Sequence, residues 1–352
     1  MIKRIETNNM IEFITAKGPW QQALSEVGEY DFYHTYDYHQ LEQNPGETAA
    51  LLRFKMDATV ILLPIILRTV PAELQRPDLQ DANSVYGYTG PLIRGETAEL
   101  KDVFHSALSV ALRERGIVSV FSRLHPLFDH SELLIGLGKV LTAGATVSVD
   151  LTLPLESQRA AYRQGTKNIL NKLRRNGAEC LELPWAAFGD VFVSIYDETM
   201  RRVKAQGSYF FPRTYYDRLF KMDGVETHLF GCLQGGELVC AGLFTVCNGI
   251  VEYHLSGTRE AALRLDLSRL MLDTVRLWAV ERGAHVLHLG GGLGGQRDSL
   301  FEFKAGFSKR EHDFKLWKWV VDIQAYGELC HSSGCSVDSA FFPAYRASAA
   351  IK

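Results

Sequence analysis

Two stretches, ALSVALRERG (107–116) and TVRLWAVERG (274–283), end in the same Glu-Arg-Gly tripeptide at an offset of 167 residues. Each reads as the closing turns of a helix. The arginine suits the negative end of the helix dipole, and the glycine supplies the left-handed residue that stops it. An apolar strand follows each one, IVSVFSR (117–123) and AHVLHLG (284–290), and YGYTG (86–90) and YHLSG (253–257) share the same offset. Upstream, each copy opens with two apolar strands around a turn. They are LLRFKMDATVILLPIIL (51–67), turning at Met56-Asp57, and HLFGCLQGGELVCAGLFTV (228–246), turning at Gln234-Gly235-Gly236. There the offset is nearer 179, so the first copy carries extra residues after its hairpin, and RTVPAELQRPDLQDANS (68–84) reads as that loop.

Motifs at one offset in one order of elements predict a duplication. Each copy reads helix, hairpin, strand, helix, strand. That order suits an α/β (α+β) fold in which a mixed sheet is flanked by helices, parallel only where a strand-helix-strand crossover occurs. A length of 352 residues also exceeds one comfortable core and predicts two domains.

Composition narrows the function classes. A hydrophobic content of 46% and a charged content of 22% describe a globular protein, and a net charge of −3 offers no global attraction for DNA or an anionic membrane. The start, MIKRIETNNM, lacks the apolar core of a signal peptide, and the strongest apolar run, Val60 to Leu67, is far too short to span a bilayer. A cytoplasmic protein with at most peripheral membrane contact is expected. The six cysteines show no zinc spacing, so CHSSGC (330–335) reads as structural thiols and no metal site is expected.

Between the copies, SQRAAYRQGTKNILNKLRRNG (157–177) carries Arg159, Arg163, Lys167, Lys172, Arg174 and Arg175 around an apolar stripe of Tyr162, Thr166, Ile169, Leu170 and Leu173. Two readings stand. The helix faces an anion such as RNA phosphates or a pyrophosphate-linked substrate, or it is a solvated amphipathic helix at a domain entrance.

The run HLGGGLGGQRDSLFEFKAGF (288–307) contains G-x-G-x-x-G at Gly290, Gly292 and Gly295. A dinucleotide site needs a long helix after that turn and an acid about 20 residues on. Here Gly306 cuts any helix short, and no P-loop pattern occurs anywhere. The glycines read instead as a place, at the end of a strand, where backbone passes close to substrate or to the other domain. After them, Leu300, Phe303, Lys304 and Phe307 share one helical face, which embeds a lysine in an apolar stripe. Lys304 either lays its stem on that surface and reaches water, or holds its ammonium in an aromatic cleft toward an anion or oxyanion.

DSLFEFKAGF, with YGYTGPL (86–92), TKNILNKLRRNG (166–177) and PRTYYDRL (212–219), resembles the FemAB family of non-ribosomal peptidyl and aminoacyl transferases. The resemblance runs from about Phe32 to Trp319. It implies tandem duplicated GNAT-like domains, one of residues 1–147 plus 317–352 and one of 148–316 carrying the F-K-x-G-F motif. It also implies Lys304 as the catalytic cation, with Phe303 and Tyr253 beside the substrate, and Arg213 and Tyr216 as holders of substrate phosphates. One departure is clear: FYHTYDYHQLEQ (32–43) places Tyr38 where the family has tryptophan, and Gln40, Glu42, Gln43 and Asn44 where it has a lysine. That loss weakens the case for a UDP-linked or lipid-linked peptidoglycan precursor and leaves room for another amine, such as an amino sugar or a small peptide.

The function implied is acyl or aminoacyl transfer onto an amino-bearing cell-wall or surface-glycan precursor, without a tightly bound cofactor. The co-substrate is aminoacyl-tRNA or acyl-CoA, with Arg259 and Arg269 placed to serve donor phosphates. The alternatives are an acyl-CoA-dependent N-acyltransferase of polysaccharide or natural-product synthesis and a non-catalytic binding module. His254, Asp298, His288 and Glu252 are possible bases, with none preferred.

Overall fold

A computed structural model describes residues 10–347. Most of the N-terminal stretch read for a leader, and the last five residues of the chain, lie outside them. The chain forms two compact units, residues 1–143 with 314–352 and residues 144–313. The boundaries expected at 147 and 316 fall inside strands that run from one unit into the next.

The first unit contains β1 (Ile11–Ile14), α1 (Lys17–Val27), α2 (Tyr36–Glu42), β2 (Thr48–Met56), β3 (Thr59–Thr69), β4 (Gln80–Asn83), β5 (Leu92–Arg94), α3 (Lys101–Glu114) and β6 (Ile117–Arg123). It also takes in the later part of β13 (Arg310–Val320) and α10 (Ile323–Ser333). Its strands follow the order β1-β2-β3-β4-β6-β13, with β5 on β3, and β4 and β6 pair in parallel. The apolar stripe of the helix that ends in the first ERG supplies Phe104, Ala107, Leu108 and Leu112 to the core.

The second unit takes up the later part of β7 (Lys139–Asp150), α4 (Leu155–Ala160), α5 (Gln164–Arg175), β8 (Cys180–Leu183), α6 (Trp185–Arg202), α7 (Arg213–Leu219), β9 (Glu226–Gln234), β10 (Glu237–Cys247), β11 (Ile250–Thr258), α8 (Leu267–Glu281), β12 (Val286–Gly291) and α9 (Ser299–Lys304). The strand order is β7-β12-β11-β10-β9-β8, antiparallel except for β11 and β12. Both units therefore repeat helices, hairpin, strand, helix, strand. Both ERG glycines stop their helices in left-handed conformations, Gly116 at φ +68 and Gly283 at φ +72.

The copies differ at the motif shared after the hairpin. YHLSG lies within β11, whereas β4 sits inside the stretch expected to be an extra loop, and YGYTG follows it. Gly87 and Gly90, at φ +99 and +95, bend YGYTG so that the Thr89 N–H reaches the Arg123 carbonyl of β6 at 2.8 Å.

In the second unit, alternation along each strand divides the sheet into two faces. Val147, Val149, Phe244, Val251, Leu287 and Leu289 join α8 and α5 in the core. Thr146, Ser148, Thr245, Glu252 and His288 fall on the other face, where Ile195 of α6 lies against Gly257 of β11.

Candidate active site

Parallel strands β11 and β12 pair through only three residues each, Ile250 to Glu252 with Val286 to His288. Beyond that point β11 is registered only with β10, and β12 only with β7. The facing edges from Tyr253 and from Leu289 onward thus separate, and a slot opens at the carboxyl ends of two parallel strands. This is where open α/β sheets bind ligands.

The glycine run shapes one wall of the slot. Gly294 and Gly295 adopt φ of +60 and +82. A side chain on Gly292 would collide with the Gln296 carbonyl and the Asp298 carboxylate. Asp298 joins the run to α9, because its Oδ2 accepts from the Leu293 N–H at 3.0 Å and its Oδ1 accepts from the Phe301 N–H at 2.9 Å. The six-residue α9 cannot present a dinucleotide pyrophosphate, so the run's task is to place α9. Asp298→Ala removes both clamps. It is expected to cost about 1–2 kcal/mol of stability, read by thermal melting, and to lower turnover roughly tenfold as α9 loses its position.

Lysine 304 ends α9. Of the expected stripe, Phe303, Lys304 and Phe307 face the core, while Leu300 is exposed and Phe301 is buried in its place. The lysine side chain is inside, at 8% exposure. Its Nζ donates to the Gly291 carbonyl at 2.7 Å and lies 5.9 Å from the centre of the Tyr253 ring. Burial pushes the ammonium down from the ordinary lysine value to about 8, opposed by the charges of Glu252 and Asp298. A lysine reaching for bulk water would not sit this way.

Several residues named from the sequence gather here. Phe303 precedes Lys304, and the Arg269 guanidinium lies 5.1 Å from its ring centre. Tyr253 stacks on Phe244 and donates to the Ser256 hydroxyl at 2.6 Å. Others lie elsewhere. Arg213 is ion-paired with Asp190 and Asp217 and covers the Trp185 ring, while Tyr216 is wholly buried in the α6–α7 aromatic cluster. Those partners bind Arg213 to its own helix and to α6. Arg259 pairs with Glu198 of α6 at 2.7 Å.

Three of the six cations of the basic segment have a carboxylate partner. Arg174 and Arg159 turn onto the buried Asp273 of α8, Arg163 pairs with Glu302 at 2.5 Å, and the Lys167 Nζ caps the Ala160 carbonyl. Sequence reasoning did not single out Asp273, whose one signal was its place among apolar residues of α8.

Comparison with known proteins accords with this geometry. Residues 160–304 match the family described as acetyltransferase (GNAT) domain, a segment that ends on Lys304. FemX superposes with a TM-score of 0.68 at 10% identity, covering 90% of this chain and 99% of that one. The fold is tandem GNAT-like. L-PGS from Bacillus licheniformis shares it at a TM-score of 0.55 and 14% identity, over 90% of this chain and 96% of that one. So does a conserved protein of unknown function from Bacteroides thetaiotaomicron, at 0.56 and 10%, over 88% and 100%. No curated protein matches the chain. The GNAT-like slot of the second unit lies within the matched segment, and no described helix is long and apolar enough to cross a membrane.

Proposed function

We propose that the chain is a FemAB-type N-acyltransferase that forms an amide on an amino-bearing cell-wall or surface-glycan precursor. The observation that carries this reading is the buried ammonium of Lys304 beside the separated edges of β11 and β12. Attack of an amine on an ester or thioester carbonyl generates a tetrahedral oxyanion. A fixed cation in a site with little water stabilises that charge far more than the same cation in solvent. Phe303 and Tyr253 wall the reacting centre.

The donor is aminoacyl-tRNA or acyl-CoA, which places the reaction in the cytoplasm. The GNAT match of residues 160–304 favours a thioester, and the FemX-like architecture across both units favours the aminoacyl ester. Arg269, alongside Phe303, is the residue proposed to meet the donor's phosphate-bearing portion. Purified protein incubated with radiolabelled acetyl-CoA or a radiolabelled aminoacyl-tRNA mixture, and with amino sugars or short lysine peptides as acceptors, tests the reading. Label in an amide product is the expected result and its donor identifies the branch. Binding of the acceptors with no transfer from either donor would overturn the enzyme in favour of a binding module.

A further inference from the structure

The acyl-transfer reading leaves open which group takes the proton from the attacking amine. Four candidates lie near the slot, and their surroundings separate them. Asp298 is committed to the backbone of the glycine run and α9. His254 is skipped in the β10–β11 register, where Leu243 faces Leu255 and Phe244 faces Tyr253, and burial pushes its imidazole down to about 3. It is therefore a poor proton acceptor near neutrality. Glu252 and His288 remain, and they form the last register pair before the two strands part.

Their arrangement is that of an oriented imidazole. Both Glu252 carboxylate oxygens lie 2.8 Å from the His288 Nδ1, and the two side chains are at the floor of burial. A carboxylate on one ring nitrogen fixes the tautomer, so that Nε2 is the basic one, and it stabilises the imidazolium once a proton arrives. The row continues on both sides. Thr245 faces Glu252 on β10, and Ser148 faces His288 on β7, where it meets the His312 Nε2 at 2.7 Å. Two hydroxyls of that face, Thr245 Oγ1 and Thr146 Oγ1, are buried without a hydrogen-bond partner among the described residues. An unfilled hydroxyl inside a protein is costly, and two beside one carboxylate–imidazole pair mark a place for polar atoms of a ligand.

The faces matter as well. Lys304 arrives with α9 from the core face, whereas Glu252 and His288 project from the opposite one. A carbonyl lodged in the slot would have the cation on one side and the imidazole on the other.

We infer that His288, oriented by Glu252, accepts the proton of the attacking amine from the sheet face opposite Lys304. The inference rests on the acyl-transfer reading. In the step, the amine nitrogen bonds to the acyl carbon and its proton passes to His288. The carbon–oxygen or carbon–sulfur bond of the donor then breaks, and the proton leaves with the departing ribose oxygen or thiolate. Among the described residues of the second unit, the titratable groups facing the imidazole include Glu252 from β11 and His312 from β13 by way of Ser148, with Lys304 of α9 acting through Glu252.

The test compares wild type, His288→Ala, His288→Gln and Glu252→Gln with the donor and amine that wild type turns over. Thermal melting establishes that each variant is folded. His288→Ala is expected to lose about 10²–10⁴-fold in kcat, with little change in KM, and to regain part of it when imidazole is added. His288→Gln, which keeps the volume, should lose as much, and the acidic limb of its pH profile should vanish. Glu252→Gln should keep an acidic limb displaced to lower pH. Folded His288 variants with turnover within threefold of wild type, or a loss that imidazole does not restore while the acidic limb persists, would overturn the inference alone. Wild type that transfers no acyl group would overturn the acyl-transfer reading and this inference together.

Discussion

Lys304→Met is expected to melt about 2–5 °C above wild type while its turnover falls roughly 10²–10³-fold. The two effects share one cause. An ammonium buried to 8% exposure has given up most of its hydration, and its compensation is one carbonyl and two carboxylates at a distance. Methionine fills a similar volume without that penalty, and exchanging buried charge for packed apolar groups is often neutral or stabilising by a few kcal/mol. The loss of the bond to the Gly291 carbonyl takes back only about 1 kcal/mol.

The sign of the pH dependence follows from the depressed value. The folded chain releases the Lys304 proton near pH 8, whereas the unfolded chain holds it to about 10.4. Between those limits the unfolded state binds more protons, so stability rises with pH, by up to about 3 kcal/mol. Wild type should show that rise in denaturant titrations at pH 7 and pH 10, and Lys304→Met should not. Wild-type turnover should fall above about pH 8, as the cation proposed to stabilise the oxyanion disappears. Equal melting temperatures with equal turnover would remove Lys304 from the mechanism.

Asp273→Asn is expected to be the most destabilising single exchange in the second unit, at about 3–5 kcal/mol. Asp273 is fully buried in α8. Its Oδ1 accepts from the Tyr162 hydroxyl at 2.7 Å and from Arg276 Nη2 at 3.0 Å, while Oδ2 receives Arg174. Arg276 also donates to the Gln158 side chain at 2.9 Å, and Gln158 in turn donates to the Leu151 and Leu153 carbonyls. The network pins α4 and α5 to α8. An amide cannot accept from all these donors and leaves a buried guanidinium without its counter-charge. A thermal melt should fall by about 10 °C. A shift under 2 °C would show that the carboxylate is not what holds these helices.

Asp273 also bears on how the basic segment is read. Six cations against one acid look like a surface for phosphates. Yet two of them are spent on a carboxylate about 100 residues away in the chain, a distance over which periodicity carries no information. Lys172 and Arg175 are exposed, as are Arg163 and Arg174.

The repeated ERG was legible because helix termination is local: a dipole end and a left-handed glycine need no distant partner. Lysine in an aromatic stripe was legible for the same reason, although in a six-residue helix the core took Phe301 where Leu300 was expected. The short helix after the glycines, which removes the dinucleotide reading, also followed from sequence through Gly306.

What the sequence by itself determined was the duplicated order of elements and the presence of one lysine among phenylalanines. Only the tertiary structure decided that β11 and β12 part after Glu252 and His288, that Lys304 is buried rather than reaching for water, and that Arg213 is paired with Asp190 and Asp217. These outcomes depend on strand register and on partners far apart in the chain. Register and long-range charge compensation are settled by the packed sheet, where a one-residue choice moves a side chain from one face to the other.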